Sequence, residues 1–148
     1  MSPEQEAGVN EILDGARDMT VATVRPDGYP QATTVSFVHD GCTIHFATGR
    51  ESQKAHNIAR APAVSLTVNL PYDSLAAIRG ISLGGRAAAV TDPEEVQDVF
   101  TRMLQKYPAL SDLPPEARDE LGIFRIDPEV ISLLDYRKGF GHTEEIHL

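Results

Sequence analysis

Hydroxyl and cationic side chains cluster between residues 46 and 58, FATGRESQKAHNI, where an apolar strand pattern gives way to a helical one. The cluster consists of Thr48, Arg50, Ser52, Gln53 and Lys54. Backbone N–H groups and the helix dipole favour anions at a helix N-terminus, and Lys or Arg donors strengthen such contacts. The segment is therefore a candidate phosphate-binding site. Alternatively, Ser52 is only the helix N-cap, and Arg50 and Lys54 are solvated surface residues.

The elements around this cluster are predicted to form an antiparallel meander with helices between strands. A capping box at Ser2 predicts a first helix over residues 3–17. A short second helix is predicted to begin near Ser52 and to end before Pro62, because the residue ahead of a proline disfavours helix. Alternating and β-branched patterns separated by glycine-containing turns predict strands at residues 19–25, 31–38, 43–47, 63–70 and 77–90.

The second half of the chain is predicted to complete a barrel. Gly84 and Gly85 interrupt the fifth strand, and glycine inside a strand often marks a bulge, so we expect this strand to bend. Asp92, Pro93 and Glu95 predict a helix that starts with a capping box and runs to about residue 107. Closing strands are predicted at 123–126 and 130–134, followed by a tail without periodicity. The predicted fold class is α+β, an antiparallel barrel of about six strands with helices inserted between them.

Length and charge limit the classes of protein that this chain can represent. Its 148 residues suit a single domain over 1–148, and its net charge of -9 disfavours nucleic acid as a partner. The N-terminus lacks a basic and apolar leader pattern, and no apolar run approaches the roughly 18 residues of a membrane span. With Cys42 as the one cysteine, these features predict a cytoplasmic protein that does not enter a membrane.

Other residue patterns of the chain bear on catalysis and metal binding. The five histidines have no metal-ligand spacing, so no metal site is predicted. No G-x-S-x-G elbow, Walker motif or dinucleotide fingerprint occurs, which disfavours hydrolase, kinase and Rossmann dehydrogenase functions. Two further sets of residues could contact a cofactor or a second subunit, although a packing bend is the favoured explanation for the first: Arg79, Ser82 and Arg86 beside the strand glycines, and Tyr72, Phe140, Gly141 and His142 in exposed segments.

The run from residue 21 to residue 68 resembles the pyridoxamine 5'-phosphate oxidase-like superfamily of flavin-binding split barrels. The resemblance implies a six-stranded antiparallel split β-barrel with flanking helices, and a homodimer with one FMN in each of two interface clefts. It also implies that FATGRESQK holds the FMN phosphate and that ATTVSF lies along the isoalloxazine ring. The cofactor-binding residues implied in this way are Thr33, Thr34, Val35, Ser36, Ala47, Thr48, Ser52, Gln53 and Lys54.

Departures from the family pattern bear on the substrate. Gln53 stands where pyridoxamine phosphate oxidases carry arginine, and Ala32 and Phe37 replace basic residues near the strand ends. The missing positive charge makes vitamin B6 oxidation a poor expectation. The resemblance therefore implies an FMN-dependent oxidoreductase that passes electrons or hydride between flavin and a small-molecule acceptor, with no side chain assigned as a catalytic base. A deazaflavin-dependent reductase and a non-catalytic flavin- or haem-binding protein, the latter with His142 as a possible axial ligand, are the alternatives.

Overall fold

The computed structural model describes residues 1–148 and contains one seven-stranded antiparallel sheet in the order β3-β2-β1-β4-β5-β6-β7. The strands are β1 (Asp18–Val24), β2 (Pro30–Asp40), β3 (Thr43–Gly49), β4 (Ala63–Asn69), β5 (Arg79–Ala89), β6 (Leu121–Asp135) and β7 (Thr143–His147). The helices are α1 (Pro3–Gly15), α2 (Gln53–Arg60), α3 (Pro93–Lys106) and α4 (Pro115–Asp119). An additional pairing of β3 with β6 closes the first six strands into a barrel, which confirms the predicted fold class.

The barrel closes along the seam between β3 and β6. The register runs from Ile44 opposite Ile126 to Gly49 opposite Leu121. Across this seam Phe46 stacks on Phe124, with ring centroids 5.5 Å apart. Alternate residues of the strands point inward and form the main core with the buried side of α1, because side chains alternate faces along a strand.

A β-bulge bends the sheet where the strand glycines lie, as the sequence predicted. The register of β5 and β6 shifts between Gly84 and Gly85, and a Cβ at Gly85 would clash with the backbone oxygen of Asp127. The two predicted closing strands are in fact one strand, β6, so that part of the prediction is wrong. Pro128, which lies between the two predicted segments, cannot donate to the ladder, but it lies at the bulge, where the ladder is already interrupted.

The tail, for which no element was predicted, contains a strand. Residues 143–147 form β7 and pair with residues 130–134 of β6 at the edge of the sheet. Ile146 alone among these five residues is buried, which leaves no apolar alternation for the sequence to reveal. The structure has no helix of sufficient length and apolar character to cross a membrane.

Helix α3 packs against the outside of the barrel and forms a second, smaller core. Val99 and Met103 lie buried there with Val38, Tyr107 and Ile123. The N-cap of α3 differs from the predicted capping box. The Asp92 carboxylate accepts from Glu94 N at 3.3 Å, but the Glu95 carboxylate lies 2.9 Å from His45 Nε2 and 2.7 Å from Arg125 Nη1. Glu95 therefore fastens α3 to β3 and β6, which places the helix over the candidate site.

Candidate functional site

A cavity of about 390 Å³ lies between α3 and the adjoining strands β2, β3 and β6. This volume is within the usual range for small-molecule sites. Six of the nine predicted cofactor residues line it: Thr34, Val35, Ser36, Ala47, Thr48 and Lys54. The structure therefore brings the predicted ring-binding strand and the predicted phosphate-binding segment to one cavity.

The cavity opens where β2 and β3 separate. These strands pair only between Phe37–Phe46 and Asp40–Thr43, whereas residues 33–36 pair with β1 alone. Beyond Phe46, β3 continues along β6 instead of β2. One edge of residues 33–36 consequently has no neighbouring strand, and an unpaired strand edge presents backbone N–H and C=O groups. Such groups can hydrogen-bond the polar rim of a ligand that lies along the strand.

The N-terminus of α2 supplies further donors. Ser52 caps the helix by accepting from Ala55 N at 3.2 Å, and its hydroxyl lies 3.3 Å from Thr48 Oγ1. The N–H groups of Gln53 and Lys54 belong to the first turn, have no carbonyl partner inside the helix and make no other hydrogen bond. These free donors suit an anion next to the cavity.

Lys54 is the one charged side chain in the cavity lining. It is half-buried and forms none of the salt bridges of the structure, and burial lowers the pKa of its ammonium group. A cation that is partly removed from water without a carboxylate partner gains from an anionic ligand. The remaining wall is apolar. It comes from α3, from the segment between α3 and α4, and from the start of β6, and consists of Phe100, Met103, Leu110, Leu113, Leu121 and Ile123.

Three predicted cofactor residues do not line this cavity. Thr33 lies beside it on β2, where its Oγ1 is buried and has no hydrogen-bond partner. Ser52 faces a separate hollow whose rim includes Glu51, Asp119 and Glu120, so that side is unfavourable for phosphate. The Gln53 side chain donates to Asn57 Oδ1 at 2.8 Å and is thus engaged within its own helix.

Sequence reasoning missed Asn57, which is completely buried. Its Nδ2 donates to Thr23 Oγ1 at 3.0 Å and to Gln31 Oε1 at 3.1 Å. These bonds attach α2 to β1 and β2 and so position the helix N-terminus relative to the cavity. An asparagine between the apolar positions Ala55 and Ile58 was the available signal, since a polar side chain in an apolar helical stripe needs buried partners.

The apolar side of α3 contributes to this cavity as well as to the smaller core. Phe100 and Met103 do pack toward the barrel, but they also form the wall of the cavity opposite β2. The C-terminal end of this helix is held by Tyr107, whose hydroxyl accepts from Phe37 N at 3.1 Å and donates to Arg17 O. Lys106 Nζ donates to Phe37 O at 2.9 Å, and burial lowers the pKa of this lysine to about 8.

The cavity is suited to binding more than to acid–base catalysis by its own side chains. Its lining contains hydroxyls and one ammonium group but no carboxylate, histidine or cysteine. A general acid or base needs a titratable group within hydrogen-bond reach of the reacting proton. The arrangement fits an anionic ligand with an extended apolar body, and a redox cofactor of that kind would bring its own chemistry.

Comparison with known proteins shows relatives in sequence and in fold. General stress protein 26 of Bacillus subtilis (strain 168) is 27% identical over 127 residues, which cover 86% of each chain. A haem-binding protein from Mycobacterium smegmatis superposes with a TM-score of 0.82 at 17% identity, over 99% of this chain and 59% of the other. The present chain therefore spans under two thirds of that protein's length.

An F420 reductase superposes with a TM-score of 0.67 at 28% identity, over 84% of this chain and 96% of that chain. The family model described as pyridoxamine 5'-phosphate oxidase matches residues 6–135. This match includes every barrel strand and the whole candidate site. The chain therefore belongs to the pyridoxamine 5'-phosphate oxidase-like family.

Proposed function

We propose that this protein binds FMN in the cavity between α3 and strands β2, β3 and β6, and transfers electrons or hydride between the flavin and a small-molecule acceptor. The observation that carries the proposal is the joint lining of one cavity by residues 34–36 and by Ala47, Thr48 and Lys54. The protein's part would be to bind and orient the cofactor, while the flavin supplies the redox chemistry.

The donors at the start of α2 would hold the phosphate. The Lys54 ammonium and the free N–H groups of Gln53 and Lys54 are available, and the Thr48 hydroxyl lies beside them. Because the cavity lacks carboxylates, nothing there opposes an anion. The unpaired edge of residues 33–36 would hydrogen-bond the polar rim of the ring system, and Phe100 and Met103 would exclude water from its apolar part.

We further propose that two copies associate with the cofactor at their interface, in the cytoplasm. Several large apolar side chains are exposed in this single chain, among them Tyr72, Leu75 and Phe140, with fractional exposures of 56%, 62% and 82%. Exposed apolar surface of this kind supports an association surface. A sedimentation velocity measurement across a hundredfold range of protein concentration tests the dimer.

A deazaflavin-dependent reductase is the second candidate, because the F420 reductase is 28% identical to this chain. The similarity to a haem-binding structure also keeps a non-catalytic haem- or flavin-binding protein open. His142, the axial ligand weighed for haem, is absent from the cavity lining. Visible absorbance of the purified protein, followed by titration with each cofactor, separates FMN, deazaflavin and haem.

The decisive experiment compares FMN with riboflavin, which lacks the phosphate. We expect Lys54→Ala to weaken FMN binding by about 10- to 100-fold, the value of a charge-assisted hydrogen bond, and to leave riboflavin binding unchanged. Lys138→Ala is the matched control, since Lys138 lies outside the cavity. Failure of the wild-type chain to bind FMN would refute the proposed function, whereas equal FMN affinity of both variants would refute only the phosphate anchor. Turnover of a nicotinamide donor with a quinone then tests catalysis.

A further inference from the structure

The largest cavity of the molecule is a groove of about 660 Å³, next to the proposed cofactor cavity. It runs between α2, the end of β5 and the start of β6, and the two cavities share Leu121 and Ile123 as walls. Methyl and branched aliphatic side chains form most of its surface, with Ala59 of α2 exposed in it. Its shape and chemistry suit an elongated apolar group.

The lining of this groove carries charge of one sign, although Arg50 also borders the neighbouring hollow that contains Glu51, Asp119 and Glu120. None of its 16 lining residues is acidic, although the chain carries 22 acidic residues and a net charge of -9. The charged or titratable groups in the lining are Arg50 and His56. His56 lies 3.4 Å from the exposed Glu51 carboxylate, whereas Arg50 forms none of the salt bridges of the structure.

Arg50 is held at the groove by its contact with β6. A Cβ at Gly122 would lie 3.1 Å from Arg50 Cγ, so the glycine allows the arginine stem to lie against the strand. Arg50 N also donates to Glu120 O at 2.9 Å, which fixes the backbone from which the side chain extends. A guanidinium group without a carboxylate partner, beside an apolar groove, is suited to a ligand carboxylate.

We propose that this groove binds an amphipathic carboxylate, with the aliphatic chain along the alanine-rich floor and the carboxylate on the Arg50 guanidinium. The site goes beyond the proposed FMN function and does not depend on it. The cationic lining favours this ligand over a neutral lipid, which would gain nothing from the exposed Arg50 guanidinium. A second copy of the chain is the competing occupant.

Calorimetric titration of the full chain with decanoate below its critical micelle concentration, and with decanol below its solubility limit, tests the proposal. We expect decanoate to bind at least about tenfold more tightly than decanol, as a charge-assisted hydrogen bond requires. Arg50→Gln should remove this preference, and Ala59→Leu should weaken both ligands by filling the groove. Arg86→Gln, an exposed charge outside the lining, should leave both affinities unchanged.

Equal binding of decanoate and decanol, or equal effects of Arg50→Gln and Arg86→Gln, would overturn the proposal. So would conversion of a dimer to a monomer by Ala59→Leu in sedimentation velocity, because the groove would then be covered by a second copy. Far-ultraviolet circular dichroism and thermal melting identify any variant that fails to fold. If Ala59→Leu does not fold, Ala59→Ser replaces it, and weaker decanol binding is expected for Ala59→Ser. FMN affinity is measured separately, so the loss of either activity leaves the other test intact.

Discussion

Replacement of Asn57 by alanine should be the most informative change outside the cavity lining. The side chain makes three hydrogen bonds, to Thr23, Gln31 and Gln53, at 3.0, 3.1 and 2.8 Å. Asn57 and Thr23 are 0% and 1% exposed, so water cannot replace the lost bond to Thr23 without rearrangement. Gln53 is exposed and can turn to solvent, so its share of the loss is small.

The expected cost follows from these contacts. Each lost hydrogen bond is worth about 1 kcal/mol, and a buried group left without a partner costs about 1–3 kcal/mol. Alanine recovers up to about 0.7 kcal/mol through its higher helix propensity. The free energy of unfolding should therefore fall by about 2–3 kcal/mol, and the melting temperature by about 4–12 °C for a chain of this size. Urea titration followed by circular dichroism measures the first quantity and thermal scanning the second.

Asn10→Ala in α1 is the matched control, because the buried Oδ1 of Asn10 has no hydrogen-bond partner. The same substitution should leave stability unchanged or raise it slightly, since alanine is the better helix former. A loss below about 0.5 kcal/mol for Asn57→Ala, within the range of ordinary surface substitutions, would refute the argument that this network fastens α2 to the barrel. An equal loss in both variants would refute it as well.

Three further predictions concern pH and packing. The Arg137 side chain hydrogen-bonds Asp135 and lowers its pKa from 3.8 to about 2. The ion pair therefore stabilises the folded chain fully above about pH 4, and this stabilisation is lost toward pH 2. In urea titrations, Asp135→Asn should lower the free energy of unfolding by about 1 kcal/mol at pH 7, since Arg137 is half-exposed, and should have no effect near pH 2. Burial lowers the pKa of Lys106 from 10.5 to about 8, so the unfolded chain binds more protons than the folded chain between these pH values. The contribution of Lys106 to the free energy of unfolding should therefore rise as the pH rises from about 8 to 10.5. Lys106→Met should lose this pH-dependent gain in urea titrations. Gly85→Ala should cost about 1–3 kcal/mol in thermal unfolding, because its Cβ would clash with the Asp127 backbone oxygen.

Each of these predictions has an internal comparison. Gly8→Ala should stabilise the protein by about 0.5–1 kcal/mol, because Gly8 is helical and its Cβ would make an ordinary 3.5 Å contact with Leu133. A stabilising Gly85→Ala would contradict the bulge argument. Lys138→Met serves as the control for Lys106, and identical pH profiles of the two variants would exclude a special role for burial. A pH-independent cost of Asp135→Asn would show that its ion pair is not responsible.

Local patterns were sufficient for most elements of the barrel. Ser2, Pro3 and Gln5 form the predicted capping box, and residues 63–69 show the predicted alternation of buried and exposed side chains. Such features depend on neighbours within a few residues, so the sequence carries them directly. The bend at Gly84 and Gly85 could also be predicted from local sequence, because glycines inside a strand are uncommon without a bulge or a close contact.

The errors occurred where a distant contact decided the outcome. Glu95 matched the capping-box spacing, but an interaction with His45 and Arg125 competes for its carboxylate. Residues 143–147 lack strand periodicity because they pair as an edge, where hydrogen bonds to β6 matter more than burial. The two predicted closing strands are one strand because the bulge accommodates Pro128, which lacks a backbone N–H.

The sequence by itself determined most of the barrel strands, the helix that begins after Ser52, and the family resemblance through residues 21–68, because these depend on local spacing. Only the tertiary structure decided how those parts meet. It separated β2 from β3, placed α3 across the opening, and turned Lys54 into the cavity while engaging Gln53 with Asn57. The physical reason is that a binding site depends on which groups lose water together, and that is settled by contacts between residues distant in the chain.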